Sequence, residues 1–492
     1  MSVLKRESLL ASVFIFAVLV SYGGPDSGHA QDGASANSSD MLSLSKDEPG
    51  VLHTAMRYPK FYGDGNTVGG GLTERSYLLG ELGGVRDALA DYGVYANASV
   101  TQFLSGNLSG GVDTTDEPRV NGSADYWLWF DSGAAGLWPG GVVFLHGESS
   151  WKATESLNKD VGSLAAANTD ATHPDPSQSN TTLSEAYLLL AFPGGPLPGN
   201  FLTAVGKQNL AAFADTNTFA NNERTQFQYA GLINNPIVGS FVPYTGYAAW
   251  LTWSLGQEHA LTGIFSKATG TAADDDFDSL LDDENTYAAQ YTYSSRFGGL
   301  PGKYTAIAAY STKDIMNFDI SDRQFIGESL GEIPVDTKDE NYTFLLNVEQ
   351  FFWTEAESRN AANQRLKDSD HPGVHQHHNG PQGVGVFARA GWAPDDRNVI
   401  DQFYSLGIGG RGILIPDRGN DTWGLGWSGI HISEDLRDLN PALRTFEHAG
   451  EVFYNLEVFP AAHLTINSQV IRPADKAVDT AYTLGARLQI DF

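Results

Sequence analysis

Four imidazoles lie close together in "HPGVHQHHNG": His371, His375, His377 and His378. Neutral imidazole is a preferred ligand of zinc, copper and nickel, so His375 and His377 are candidates for a transition-metal site. Within that stretch no carboxylate accompanies them, and its polar surroundings between two alternating segments predict a solvated loop. The acid-rich "DDDFDSLLDDEN" (274–285) offers Asp274 and Asp276 to a hard divalent cation, which could bridge to anionic head groups. It lacks the glycine and the spaced acids of a calcium loop, so a solvated outer loop is again expected. "GIGGRG" at 407–412 matches the dinucleotide-binding spacing. That fingerprint needs a helix after it, and "ILIPDRGNDTWGLG" with Pro416 cannot start one, so a glycine-rich loop near a strand end is the expectation. No Gly-x-Ser-x-Gly, His-Glu-x-x-His or phosphate-loop pattern occurs, so neither an enzyme nor a cofactor is expected.

The remaining polar chemistry is spread out, one residue at a time, through segments whose neighbouring positions are apolar. Asn97, Asp125, Glu349, Arg389, Glu451 and Arg487 all sit this way. In "VYANASVTQFL" the even positions from Val94 are mostly apolar and the odd ones include Asn97, Ser99 and Thr101. "NYTFLLNVEQF" sets Tyr342, Phe344, Leu346 and Val348 against Thr343, Asn347 and Glu349. "YTLGARLQIDF" ends the chain with Tyr482, Leu484, Leu488, Ile490 and Phe492 on one side and Thr483, Arg487, Gln489 and Asp491 on the other. A period of two is the signature of strands with two unlike faces.

These strands need a setting. Lys5 and Arg6 precede the apolar run 9–20, and Gly28-His29-Ala30 supplies small residues, so 1–30 reads as a secretory signal peptide. The apolar run is shorter than the ~20 residues of a membrane-spanning helix. Residues 31–71 are rich in Ser, Asn, Asp and Gly and read as a flexible arm. From 72 to 93 one short amphipathic helix is predicted, with Leu78, Leu82, Val85 and Leu89 on its apolar side and Arg86, Asp87 and Asp91 opposite. From 94 to 492, the barrel region, two-residue alternation recurs in one segment after another. The net charge of -29 opposes nucleic-acid binding, and the absence of cysteine removes disulfides and thiolate chemistry.

A soluble sandwich would also alternate. Two features favour a membrane barrel instead: the apolar faces begin or end on Tyr, Trp or Phe, as at membrane interfaces, and strands recur at longer spacing than the ~8–12 residues of a sandwich. Only a closed barrel satisfies every backbone donor and acceptor of strands in lipid. The fold class is therefore all-β, a transmembrane antiparallel β-barrel of about 16 to 18 strands with one short N-terminal periplasmic helix, large enough to hold an aqueous channel.

"LLGELGGVRDALADYGVYANASVTQFLSGNLSGG" (78–111), "FLTAVGKQNL", "SLGIGGRGILIPDRGNDTWGLGWSGIHIS" and the C-terminal strand together resemble the OprB-type carbohydrate-selective porins of Gram-negative outer membranes. The resemblance implies a 16-stranded barrel passing sugars and similar solutes by diffusion. It also implies outer-membrane lipid and lipopolysaccharide as surroundings, recognition of Phe492 by the barrel-assembly machinery, and an oligomer as an open possibility. Glu81-Leu82-Gly83-Gly84 replaces the family's acid-Trp-Gly-Gly, and the acidic run near 280 is foreign to the pattern. Both departures bear on solute preference, not on fold.

If the polar faces point inward, Tyr95, Phe103, Trp127 and Trp129 line the channel beside Asn97 and Asp125, where rings can stack on sugars and carboxylates can take hydroxyls. In the hairpin "LSEAYLLLAFPGGPLPGNFLTAVGKQNL", a turn near Pro196 would set Glu185 opposite Lys207 as a lumen-facing ion pair. Two other readings stay open: a general or cation-preferring porin, and a non-transporting barrel or carbohydrate-binding adhesin.

Overall fold

The computed structural model describes residues 68–492 apart from 115–116, 139, 153–155, 175–178, 194–197, 257, 274–283, 320–336 and 356–381. The signal segment, nearly all of the arm, and Asp274, Asp276, His375 and His377 lie outside the described residues. The strands are β1 (Val94–Gly111), β2 (Arg119–Asp131), β3 (Gly141–Lys152), β4 (Asn180–Pro193), β5 (Asn200–Gln208) and β6 (Gly246–Leu255). There follow β7 (His259–Lys267), β8 (Asn285–Phe297), β9 (Leu300–Ser311), β10 (Ile315–Met316), β11 (Thr337–Lys338) and β12 (Asn341–Thr354). The last are β13 (Gly383–Trp392), β14 (Ile400–Arg411), β15 (Thr422–Ile432), β16 (Phe446–Phe459), β17 (Ala462–Arg472) and β18 (Asp479–Asp491).

Sixteen of these close into one antiparallel barrel, and β10 and β11 form a separate two-stranded ribbon. Closure joins the ends of the chain: β1 pairs with β18, placing Phe103 opposite Arg487 and Ser99 opposite Asp491. Alternation becomes a wall with reversed polarity. Leu346, Leu406, Leu425, Val452 and Ile466 are each at least half exposed, while Thr101, Ser405, Thr465 and Thr483 are buried. A soluble core does the opposite, so the exposed band is a lipid-facing surface. Exposed rings lie side by side across neighbouring strands, Tyr287 opposite Tyr310 and Tyr310 opposite Tyr342, as an interfacial girdle requires. Among the described residues no helix is long and apolar enough to cross a membrane; the strands do so.

At the end of the barrel that holds the termini, several connections are tight, such as 298–299 and 460–461. At the opposite end several are long, and two of them, 153–179 and 209–245, carry buried residues on α2 (Leu157–Val161), α3 (Leu210–Ala214) and α4 (Ala230–Ile233). Their buried residues include Phe219, Phe227, Tyr229 and Leu232, in one cluster with wall residues Phe387, Phe403 and Phe453. These segments enter the barrel.

Three local expectations change. The helix expected over 72–93 shrinks to α1 (Val85–Ala90) after a 3-10 turn, because Leu82, Gly83 and Gly84 take positive φ. Its faces are only partly as expected: Asp87 and Asp91 are exposed, but so are Leu82 and Val85, and Arg86 is buried. The Arg86 guanidinium lies over the Tyr77 ring and donates to Gly80 O at 2.8 Å and Phe492 O at 2.6 Å, so carbonyl acceptors outweigh the apolar stripe. "GIGGRG" is not a loop; most of it forms the end of β14. Glycines here leave room for rings: a Cβ on Gly385 would sit 2.4 Å from Phe219 Cζ, and one on Gly424 2.9 Å from Phe227 Cζ.

The β4–β5 hairpin is one residue out of the expected register, with Ala186 opposite Lys207. Apolar pairing sets it: Phe192 lies opposite Phe201, their rings stacked at 5.5 Å, and a one-residue slip would turn every side chain of one strand to the wrong face.

Candidate functional site

The lumen is narrowed by the two inward segments, and the wall holds them through buried charges. Arg389 on β13 donates to Asp215 Oδ1 at 3.0 Å and to the carbonyls of Leu232, Asp215 and Ala220 at 3.1, 3.3 and 2.5 Å. Glu349 on β12 accepts from Thr218 N at 2.6 Å and Thr218 Oγ1 at 2.7 Å. Glu451 on β16 accepts from Gln228 N and Tyr229 N at 2.8 and 2.9 Å. Glu447, one turn of alternation away, accepts from Leu164 N, Ala165 N, Ala474 N and Tyr229 Oη, tying both inward segments to one carboxylate. Arg487 on β18 donates to Arg224 O at 2.9 Å and to Gln226 O. Inward backbone with unmet polar groups would be costly; these side chains satisfy it.

Where the segments meet the β2–β4 wall, charges concentrate. Arg224 reaches Asp125 at 3.1 Å, Asp170 at 3.2 Å, Glu223 at 3.4 Å and Glu148 at 3.9 Å. His146 sits between Asp125 at 2.9 Å and Glu185 at 3.0 Å, its ring stacked on Trp127 with centroids 5.5 Å apart. Tyr244 donates to Glu148 at 2.7 Å and stacks on His173 at 3.7 Å. Water reaches this cluster, because the side chains of Glu185, Glu223 and Arg224 keep 18%, 18% and 16% exposure.

Burial pushes the Asp170 carboxyl up to about 7, against the pull of the Arg224 guanidinium. Burial likewise presses the His173 imidazole down to about 4, so that ring is neutral at ordinary pH. Burial works against the charge of Arg224, but Asp125, Glu223, Asp170 and Glu148 outweigh it and hold the guanidinium well above its usual range. An acid whose folded pKa is raised binds its proton more tightly folded than unfolded. Asp170 therefore favours the docked segment most at low pH, and that contribution fades as pH rises through about 7. Ionisation adds one negative charge to the narrow region, so cation preference should rise between about pH 5 and about pH 8. Reversal potentials across a salt gradient measure this, and Asp170→Asn should flatten the rise.

The residues expected to line the channel divide by partner. Asp125, Trp127 and Glu185 are in the charged cluster. Glu349, Arg389, Glu451 and Arg487 are turned to the inside but engage the inward segments. Trp129 is buried against Phe144 at 5.3 Å, filling the wall. Asn97 donates to Tyr77 Oη at 3.3 Å near the N-terminal turn. Lys207 Nζ donates to Leu183 O at 3.3 Å and Ala272 O at 2.6 Å, while Glu185 also accepts from Asn209 N at 3.0 Å.

Sequence reasoning missed His146, Glu148, Asp170, Asp215, Glu223, Arg224 and Glu447. A signal existed for two of them: "VVFLHGESSW" puts Phe144, His146, Glu148 and Ser150 on the face that is inward in β3. For the loop residues the only mark was the length of the gaps between β3 and β4 and between β5 and β6.

A family model for the carbohydrate-selective porin, OprB family, matches residues 156–492. The high-pH structure of Pseudomonas putida OprB superposes with a TM-score of 0.68 at 16% identity, covering 85% of this chain and 98% of that one. The outer-membrane channel DcaP of Acinetobacter baumannii gives 0.44 at 10% identity, covering 81% and 97%. No curated protein matches the chain by sequence. Porins of this family and fold are channels and not enzymes. With its lipid-facing wall and water-reached interior, the chain belongs to the OprB family of carbohydrate-selective porins, integral barrels of the outer membrane through which carbohydrates and similar small hydrophilic solutes diffuse.

Proposed function

We propose that sugars are sorted in this channel at the cluster around Arg224, where the partly exposed Glu185 and Glu223 offer acceptors and Trp127 and Tyr244 offer ring faces. The observation that carries this reading is the mixture of partly exposed charge and paired rings at one level of the lumen. Sugars present hydroxyl rims and apolar faces, and several weak contacts let a solute enter and leave. In planar bilayers, hexoses should block ion current in a saturable way and Trp127→Ala should weaken the block. Sorting by size alone, with no block at any sugar concentration, would overturn the reading.

A second reading is favoured by the excess of acid. Five carboxylates, those of Asp125, Glu148, Asp170, Glu185 and Glu223, surround one guanidinium and one imidazole. That balance supports cation preference superimposed on sugar passage. We propose also that the barrel-assembly machinery engages Phe492, that barrels self-associate, and that charge reversal at Lys207 alters ion selectivity.

A further inference from the structure

We infer that Asp125, His146 and Glu148 form a binding site for a divalent transition-metal cation of the zinc class in the wall of the narrow region. One ligand atom from each of the three lies within 4.8 Å of the other two, and all three residues are buried. One imidazole and two carboxylates form a mixed nitrogen and oxygen set, which suits zinc and its neighbours better than magnesium.

The surroundings are those of a ligand set. Glu185 Oε2 lies 3.0 Å from His146 Nδ1, leaving Nε2 to face Asp125 Oδ1 at 2.9 Å. A carboxylate behind the non-ligating nitrogen is how metal-bound histidines are oriented. The ring can donate to both carboxylates only as an imidazolium; a cation at Nε2 takes the place of one of those protons. Asp125 is fully buried, and its Oδ2 has no hydrogen-bond partner, an unmet acceptor beside the three ligand atoms. The neighbouring Glu185, Glu223 and Arg224 side chains meet water, and a cation would enter past them.

Arg224 is the competitor. Its Nη2 stands 3.1 Å from Asp125 Oδ1 and 3.9 Å from Glu148 Oε1, so guanidinium and metal draw on the same carboxylates. Metal binding should therefore loosen the hold of Arg224 on the wall. Backbone bonds from Arg487 to Arg224 O and Gln226 O would keep the segment in place.

The test is calorimetric titration of zinc chloride into the full chain, folded in detergent, and does not depend on transport. It is run with His371, His375, His377 and His378 replaced by Gln, so that those imidazoles cannot contribute. One zinc per barrel is expected. His146→Gln should abolish binding, and Glu185→Gln should weaken it by roughly 10- to 100-fold. Arg224→Gln should tighten it, and His259→Gln, at an exposed imidazole on another strand, should leave it unchanged. Heat-modifiable gel mobility checks that each variant is folded; if His146→Gln fails that check, the Glu185→Gln result decides. No zinc binding, or binding indifferent to both of those substitutions, overturns the site.

Discussion

Replacing Arg389 by methionine is expected to raise single-channel conductance severalfold and to abolish sugar-dependent block. The Arg389 side chain is wholly buried and joins four acceptors of the 209–245 segment. Methionine fills comparable volume but donates nothing. Asp215 would keep Asn347 Nδ2 at 2.5 Å and Asn235 N at 2.7 Å, yet lose its only compensating charge among the described contacts. Breaking a buried ion pair from one side costs about 3–5 kcal/mol, because the partner is left charged and dry. The segment can escape that cost by swinging out through the mouth of the barrel, which widens the path. The barrel should persist, since its strands are held by backbone ladders that Arg389 does not supply. Planar-bilayer conductance reads the widening and heat-modifiable mobility reads the barrel; unchanged conductance in a folded variant would remove Arg389 as an anchor.

The second large effect concerns charge. Arg224→Gln should shift the cation-to-anion permeability ratio upward by more than about tenfold. A unit charge about 4 Å from a passing ion in water is worth about 1 kcal/mol, close to a fivefold change for each ion and opposite in sign for the two. Removing Arg224 leaves Asp125, Glu148, Asp170 and Glu223 without their shared cation. Position is held separately, because Arg487 grips the backbone carbonyls of residues 224 and 226 and not the side chain. Reversal potentials in a potassium chloride gradient test this directly. No shift would mean that ions pass the barrel by a route away from the cluster, and the proposed sorting site would fall with it.

Much of the architecture was legible in the sequence because a strand's two-sidedness is a local property. Leu346 and Asn347 are neighbours, and one meets lipid while the other meets the lumen, whatever the rest of the chain does. The parity that sends Thr343 inward also sends Asn347 and Glu349 inward. Register was less legible. A turn centred near Pro196 sets Glu185 opposite Lys207, but the stacked pair Phe192 and Phe201 fixes the hairpin one residue away, and attraction between partly hydrated charges is too weak to overrule apolar pairing. The helix after residue 72 failed for a related reason: its stripe of leucines suggested a buried face, but backbone carbonyls at Gly80 and Phe492 claimed Arg86 instead.

Alone, the sequence determined that this chain is a barrel, roughly how many strands it has, and which side chains face its centre, since period-two alternation and backbone closure in lipid leave little other choice. Only the tertiary structure decided what those inward residues do. Glu349, Glu451, Arg389 and Arg487 meet protein, and Asp125 meets Arg224, because segments far away in the chain fold into the lumen. Such docking rests on contacts between residues one to three hundred positions apart, and no local pattern records them.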